Sequence, residues 1–332
     1  RVPVDDHTGR EEAQQQEVVA LLGQAVGKCS HACSQKWCGA RFGYARNACT
    51  RRPSVSCGYT WRPQDKAAKP MNSKLDIGAT AQEAVKFMKR HDARKQGMNV
   101  DFPWYPWPSL TNFLHLDRLL SGEHRDLGRM IGDGTAVDIG AADGDVAFFM
   151  ESMGVPMHVV DYPPTNYNSC RALHAVREAL DSKVEILETD LDSQFRLPQA
   201  RYEFAFFLGI LYHLKNPFFV LEALAKASRY AVISTRIASH NLPSNRKHGD
   251  AGINAGRIEL NTVPAAYLLA PDECNNDATN FWIFSDAGLK RLLHRCGWDV
   301  LDFMTVGAVG KSDPATPNGD ERAFCLVKSR HF

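Results

Sequence analysis

From residue 135 onward the chain repeats one unit: a short apolar run, a turn rich in glycine or acid, then an amphipathic stretch of helical length. TAVDIG (135–140), MHVVDY (157–162), KVEIL (183–187), FAFFLG (204–209) and YAVIST (230–235) predict five strands, being short, apolar and bounded by turn residues. Helices are expected between them over 145–153, 166–181 and 217–228. Alternation of this kind packs as a doubly wound α/β sheet, with helices on both faces and parallel strands. The tail departs from it. SDAGLKRLLHRCGW (285–298) reads as an amphipathic helix closed by Gly297, followed by DVLDFMTVGAV, a polar link at 311–321, and RAFCLVKSR. A parallel crossover needs about a dozen residues or more, usually with a helix, so the last strand is expected to run antiparallel beside its partner.

Size and charge limit the rest. A chain of 332 residues, 44% hydrophobic and 23% charged, supports one sizeable core plus a cap or arm. Lys and Arg number 39 against 38 Asp and Glu, and a net charge of +1 sets up no field that gathers nucleic acid or anionic membrane. No run reaches the roughly 18 apolar residues of a membrane span, and RVPVDDHTGR has no apolar signal core, so a cytoplasmic protein is expected. Five cysteines (Cys29, Cys33, Cys38, Cys49, Cys57) crowd the start around His31, but their spacing lacks the paired C-x2-C knuckles of zinc sites, and no metal is expected. Cys170, Cys274, Cys296 and Cys325 read as reduced thiols.

Residues 1–70 are rich in Arg, Cys, Gln and Ser and have little periodicity beyond EVVALLGQAV; they are expected not to fold alone and to be an extension, with Met71 a candidate native start and a regulatory arm the alternative. A helical and aromatic cap is expected over 71–130. Thr80 is its cap candidate, and Ala84, Val85, Phe87 and Met88 lie on a helical repeat. Pro103, Pro106 and Pro108 forbid a second helix until after Pro108, and it should end near Leu120. The stretch 236–284 exceeds a simple crossover and reads as a lid inserted in a domain spanning 131–332.

The chemistry concentrates at strand ends. Asp138-Ile-Gly140-Ala-Ala-Asp143-Gly144 follows the first strand and opens a helix, where glycine lets a nucleoside ligand approach the backbone; a plain tight turn is the alternative. Asp161 ends the second strand, where a carboxylate can accept bonds from both ribose hydroxyls of a nucleoside cofactor, nicotinamide dinucleotides included. Asp190 follows the third strand, where an acid reads plainly as a solvated loop residue. After the fourth strand comes Gly209-Ile-Leu-Tyr212-His213-Leu-Lys215-Asn-Pro217, entering a helix at a proline suited to its first turn.

These segments, in this order, resemble class I S-adenosylmethionine-dependent methyltransferases, whose first motif is D-x-G-x-G-x-G, with Ala142 here at the middle glycine. LGILYHLKNP, Leu116-Asp117-Arg118-Leu119 behind Trp104 and Trp107, and Asn280-Phe-Trp282 ahead of SDAGLKRLL look like the branch that includes the tRNA wobble-uridine carboxymethyltransferases. The likeness spans about 101–329. It implies a seven-stranded sheet with one antiparallel strand near the C-terminal end, S-adenosylmethionine held by Asp138, Gly140, Gly144, Asp161, Asp190 and Gly209, and Tyr212 and His213 at the transferring carbon. His115 stands where that branch has Lys, and no clear counterpart appears of its C-terminal Arg that meets a carboxylated donor, so the ordinary donor is expected.

His213 is the general-base candidate, because imidazole titrates near neutrality. Trp104, Tyr105 and Trp107 are expected either to wall an acceptor site, with His115 and Trp282, or to pack in the core. Three functions stay open: a methyltransferase acting on a small molecule, which leads; a tRNA-modifying enzyme, whose binding would weaken with salt; and a nicotinamide oxidoreductase or non-catalytic nucleotide-binding protein.

Overall fold

Helix α1 (Ile77–Gly97) opens the part of the chain that the computed structural model describes, which comprises residues 75–242, 257–274, 277–314 and 320–332. The expected extension over 1–70, Met71 and the cysteine run Cys29 to Cys57 lie outside the described residues. Asp76 caps α1 by accepting the N–H groups of Gly78 (3.0 Å) and Ala79 (3.2 Å), donors that no carbonyl within the helix can reach. Thr80, expected as the cap, instead lies buried in the first turn and donates its hydroxyl to the Asp76 carbonyl at 2.8 Å. The stripe Ile77, Ala81, Ala84, Phe87 faces the core at helical spacing, and His91 and Lys95 continue it. Helix α2 (Asn112–Leu119) starts after the prolines, as expected, and α3 (Leu127–Ile131) follows behind its Asp126 cap.

The alternating part then runs β1 (Ala136–Ile139), α4 (Asp145–Ser152), β2 (Met157–Asp161), α5 (Arg171–Ala179), β3 (Glu185–Glu188), β4 (Tyr202–Leu208), α6 (Pro217–Ala227) and β5 (Ser228–Arg236). Helix α5 begins five residues later than the sequence suggests. The Asn166 side chain accepts the N–H groups of Asn168 (3.1 Å) and Cys170 (2.8 Å), and Ser169 and Cys170 take φ of 57° and 62°, which no right-handed helix accommodates. Within 236–284 the described residues form four short strands, β6 (His240–Asn241), β7 (Ile258–Glu259), β8 (Ala266–Leu268) and β9 (Trp282–Phe284), paired as β6 with β7 and β8 with β9. Helix α7 (Asp286–Arg295), β10 (Trp298–Gly307) and β11 (Glu321–Ser329) end the chain.

Seven strands make the main sheet, in the order β10-β11-β5-β4-β1-β2-β3. Strand β11 lies antiparallel to both β10 and β5, placing Cys325 opposite Phe303 on one side and Ile233 on the other. The link between them spans 308–320, long enough in residue count for a crossover but with no helix among its described residues, and it turns the chain back. Strand β1 is buried along its whole length, the state of a parallel strand with helices on both faces. From β1 the chain moves outward to β2 and β3, then returns across β1 to β4. That reversal is a topological switch point beyond the carboxyl ends of β1 and β4, and it is in the crevice at such a point that doubly wound sheets bind ligands. Below it, Trp298 is fully buried and donates its indole N–H to the Leu221 carbonyl at 3.1 Å, locking α6 to the sheet.

Candidate functional site

The turns after β1, β2 and β4 meet at this crevice. Gly140 has φ of +70°, and a Cβ there would come 2.4 Å from Ile210 Cγ2, so the turn after β1 touches the turn after β4. Asp161, at the end of β2, accepts the Ala142 N–H at 2.9 Å through Oδ2 and the Tyr162 N–H at 2.7 Å through Oδ1. The second turn is thereby tied to the first. Ala142 itself is left-handed at φ 54°, and Gly144, at φ 84°, is the N-cap of α4. Gly209 has φ of +76°; a Cβ there would lie 3.7 Å from Arg322 Nη1 and 3.8 Å from the Tyr212 hydroxyl. Asp138 is buried within β1, and its Oδ2 has no hydrogen-bond partner.

Asp190 turns its carboxylate onto its own loop, accepting the Asp192 N–H and the Ser193 hydroxyl, each at 2.9 Å. Its neighbour Asp192, which the sequence reading passed over, accepts the N–H groups of Lys215 and Asn216 at 2.8 Å each. It holds the LGILYHLKNP turn to the loop after β3. The only trace of this in the sequence is an acid in the turn after β3, a pattern shared with any surface turn.

His213 Nδ1 lies 3.1 Å from both the carbonyl and the hydroxyl of Thr279, and Phe281 N–H donates to the Tyr212 carbonyl at 2.8 Å. The segment before β9 therefore packs directly on the Tyr212–His213 turn. Trp282 sits on the same turn with its indole N–H 3.4 Å from the Lys215 carbonyl. On the other side, Tyr105 N–H donates to Asp143 Oδ2 at 3.0 Å, which brings the 101–108 segment onto the first turn. Tyr105 stacks edge-on against Trp107 and Tyr167, with centroids 5.1 and 5.9 Å away. Trp104 instead covers Lys95, whose Nζ is 5.4 Å from its ring centre. Trp107 is 53% exposed and Trp104 and Tyr105 are partly buried, so none of the three packs fully in the core. His115 stacks on Phe324 of β11 at 5.0 Å between ring centres.

Burial sets the charge states. It pushes the Asp138 carboxyl up to about 8, with the nearby Asp161 and Asp145 carboxylates adding to the shift. Burial also raises Asp161, against the lowering effect of the N–H groups it accepts. It lowers His213, so the neutral imidazole is favoured, and lowers His115 to about 4 with help from Arg118 and Arg322. The Tyr105 phenol is held protonated, first by burial and then by Tyr212. Arg322, which the sequence reading missed, has its guanidinium 5.9 Å from the Tyr212 ring centre and its Nε 3.3 Å from Asp320 Oδ2. It lies on β11, more than a hundred residues from Tyr212 in sequence.

A family model described as a methyltransferase domain matches residues 114–302, which include every one of these turns. A search of the curated proteins found no match. Among solved structures, the chain is similar to the N-terminal domain of EvdMO1 with SAH bound, at 15% identity over 74% of this chain and 97% of that one, with a TM-score of 0.43. It is also similar to TehB from Haemophilus influenzae (14% identity, 64% of this chain, 63% of that one, TM-score 0.41). A third is the 1,6-didemethyltoxoflavin-N1-methyltransferase of Burkholderia thailandensis with S-adenosylhomocysteine bound (16% identity, 61% and 74%, TM-score 0.40). The nicotinamide reading, which Asp161 alone left open, falls with the family match. With more than half its length matched and the sheet order to go with it, this chain belongs to the methyltransferase-domain family, the class I fold whose methyl donor is S-adenosylmethionine.

Proposed function

We propose that this chain transfers a methyl group from S-adenosylmethionine to a small-molecule acceptor at the crevice where the three turns meet. The observation that carries the reading is the meeting of Gly140, Asp161 and Gly209, with left-handed backbone at both glycines. Around them the residues fit a sulfonium nucleoside: tight left-handed turns at Gly140 and Gly144, where Ile210, Leu173 and Phe148 leave no space for a side chain, and a partnerless buried oxygen on Asp138. Asp161 would accept the ribose hydroxyls, Asp190 would lie toward the adenine, and Gly209 would leave room beside the methionine end. The donor supplies an electrophilic methyl carbon on a positively charged sulfur.

The chain then has to align the acceptor, exclude water and remove a proton. A carbonyl can only accept, and the Thr279 hydroxyl donates its proton to Asp277 Oδ1 at 2.6 Å, so both Thr279 oxygens accept from His213 Nδ1, which keeps its proton and leaves the Nε2 lone pair free. Burial keeps this ring neutral, and His213 is the base in this reading, with Tyr212 orienting the reacting groups. The cap over 71–130 and the lid over 236–284 select the acceptor, through Tyr105, Trp107, His115 and Trp282. A net charge of +1 favours a small molecule over RNA. Arg322 favours a second reading of the donor. Its guanidinium beside Gly209 and Tyr212 would meet the extra carboxylate of a carboxylated S-adenosylmethionine, as in the wobble-uridine branch. Calorimetric titration of the full chain with S-adenosylmethionine, S-adenosylhomocysteine and the carboxylated donor tests both readings. Binding of S-adenosylhomocysteine by the wild type, kept within twofold in His213→Ala, is expected. No binding of any of the three refutes the proposal, and a tenfold preference for the carboxylated donor that vanishes in Arg322→Ala selects the second reading.

A further inference from the structure

Helix α1 ends its core-facing stripe in two charged residues, where the pattern calls for apolar ones. Lys95, 7% exposed in its side chain, donates to Asp145 Oδ1 at 2.6 Å and to Asp143 Oδ2 at 3.0 Å. His91 Nε2 lies 3.2 Å from the same Asp145 oxygen, and its side chain is 1% exposed. A buried ammonium is costly unless it is paired, and its pairs here are the two carboxylates that flank Gly144 of the first motif. Asp143 has two further donors. Besides Lys95 it accepts the Tyr105 N–H at 3.0 Å on Oδ2 and the Asn168 amide at 2.8 Å on Oδ1, and Asn168 also reaches the Pro103 carbonyl at 3.3 Å. Trp104 closes over the ammonium. One cation thus fastens together α1, the 101–107 segment, the turn after β1 and the loop after β2. Hydrophobic residues of similar volume often hold such a cross-link as well or better, so stability alone does not account for the buried charge.

We infer that Lys95 is a positioning residue for the donor: through Asp143 it fixes the Gly140–Gly144 turn and holds Tyr105 across the mouth of the crevice. This rests on the methyltransferase reading above and assigns α1, which lies outside the matched residues 114–302, a part in donor binding. Full-chain wild type, Lys95→Met, Lys95→Arg and Asp143→Asn are titrated with S-adenosylhomocysteine, and hydrogen exchange is followed in 101–107, 140–146 and β4–β5. Lys95→Met should bind at least tenfold more weakly, with faster exchange confined to the first two segments, and Lys95→Arg should recover affinity to within threefold of wild type. Asp143→Asn keeps the Lys95–Asp145 pair and the shape of the side chain. It should also lose at least tenfold, and it carries the test if Lys95→Met does not fold. Affinity within threefold of wild type in the folded variants overturns the proposal, as does equal acceleration of exchange in β4–β5, which would mark a fold-wide role. A wild type that binds no S-adenosylhomocysteine, with exchange unchanged on its addition, refutes the donor reading itself and the positioning role with it.

Discussion

Replacing Gly140 with alanine tests the contact between the turns after β1 and β4. The added Cβ would stand 2.4 Å from Ile210 Cγ2 and 3.1 Å from its Cδ1, and the nearer atom belongs to a branched side chain that cannot swing aside. Two costs add. Placing a residue other than glycine at φ of +70° costs about 1–2 kcal/mol, and pushing a methyl into a filled space costs about 1–3 kcal/mol. Gly140→Ala should therefore lose about 2–5 kcal/mol in urea unfolding. Ile210→Ala removes the clash and leaves the backbone cost, so the double variant should recover about 1–3 kcal/mol relative to the sum of the singles. S-Adenosylhomocysteine affinity should follow the same order. A single variant within about 0.5 kcal/mol of wild type, or additive singles, would show that the two turns do not press on each other and would refute the convergence argument.

Asp161→Ala should weaken S-adenosylhomocysteine binding by about 1–3 kcal/mol, because it removes the acceptor for the ligand and also frees the Ala142 N–H; calorimetry reads it. Asp192→Ala unties two N–H groups held at 2.8 Å, and should cost about 1–3 kcal/mol in unfolding with faster exchange at Lys215 and Asn216. His115 sets a pH window. Its folded value of about 4 lies below the ordinary 6.5, so between these the unfolded chain binds a proton that the fold refuses, and stability rises with pH. Melts at pH 4, 5.5 and 7 should show wild type losing up to about 3 kcal/mol more than His115→Phe on acidification; parallel curves would contradict the buried neutral ring.

Much of the fold was legible in the alternation of apolar runs and amphipathic stretches, because a strand buried on both faces leaves a continuous run. The reversed last strand was legible too, since the link before it is polar and offers no amphipathic helix to make a crossover. Boundaries moved where a side chain competed with the backbone, as Asn166 does ahead of α5 and Asp76 does ahead of α1. Of the site, Gly140, Asp161 and Gly209 stood out because their residue types are required at strand ends, and the sheet order brings those ends together.

Residues that act across elements were another matter. Arg322, Asp192 and Lys95 lie far in sequence from what they touch, and each looks like an ordinary surface charge when read along the chain. Local pattern determines which stretches become strands, helices and ligand-accepting turns, because those preferences act over a few residues. Which charge is buried, and against which partner, is decided by the folded sheet alone, since it depends on the distances between segments that the sequence does not carry.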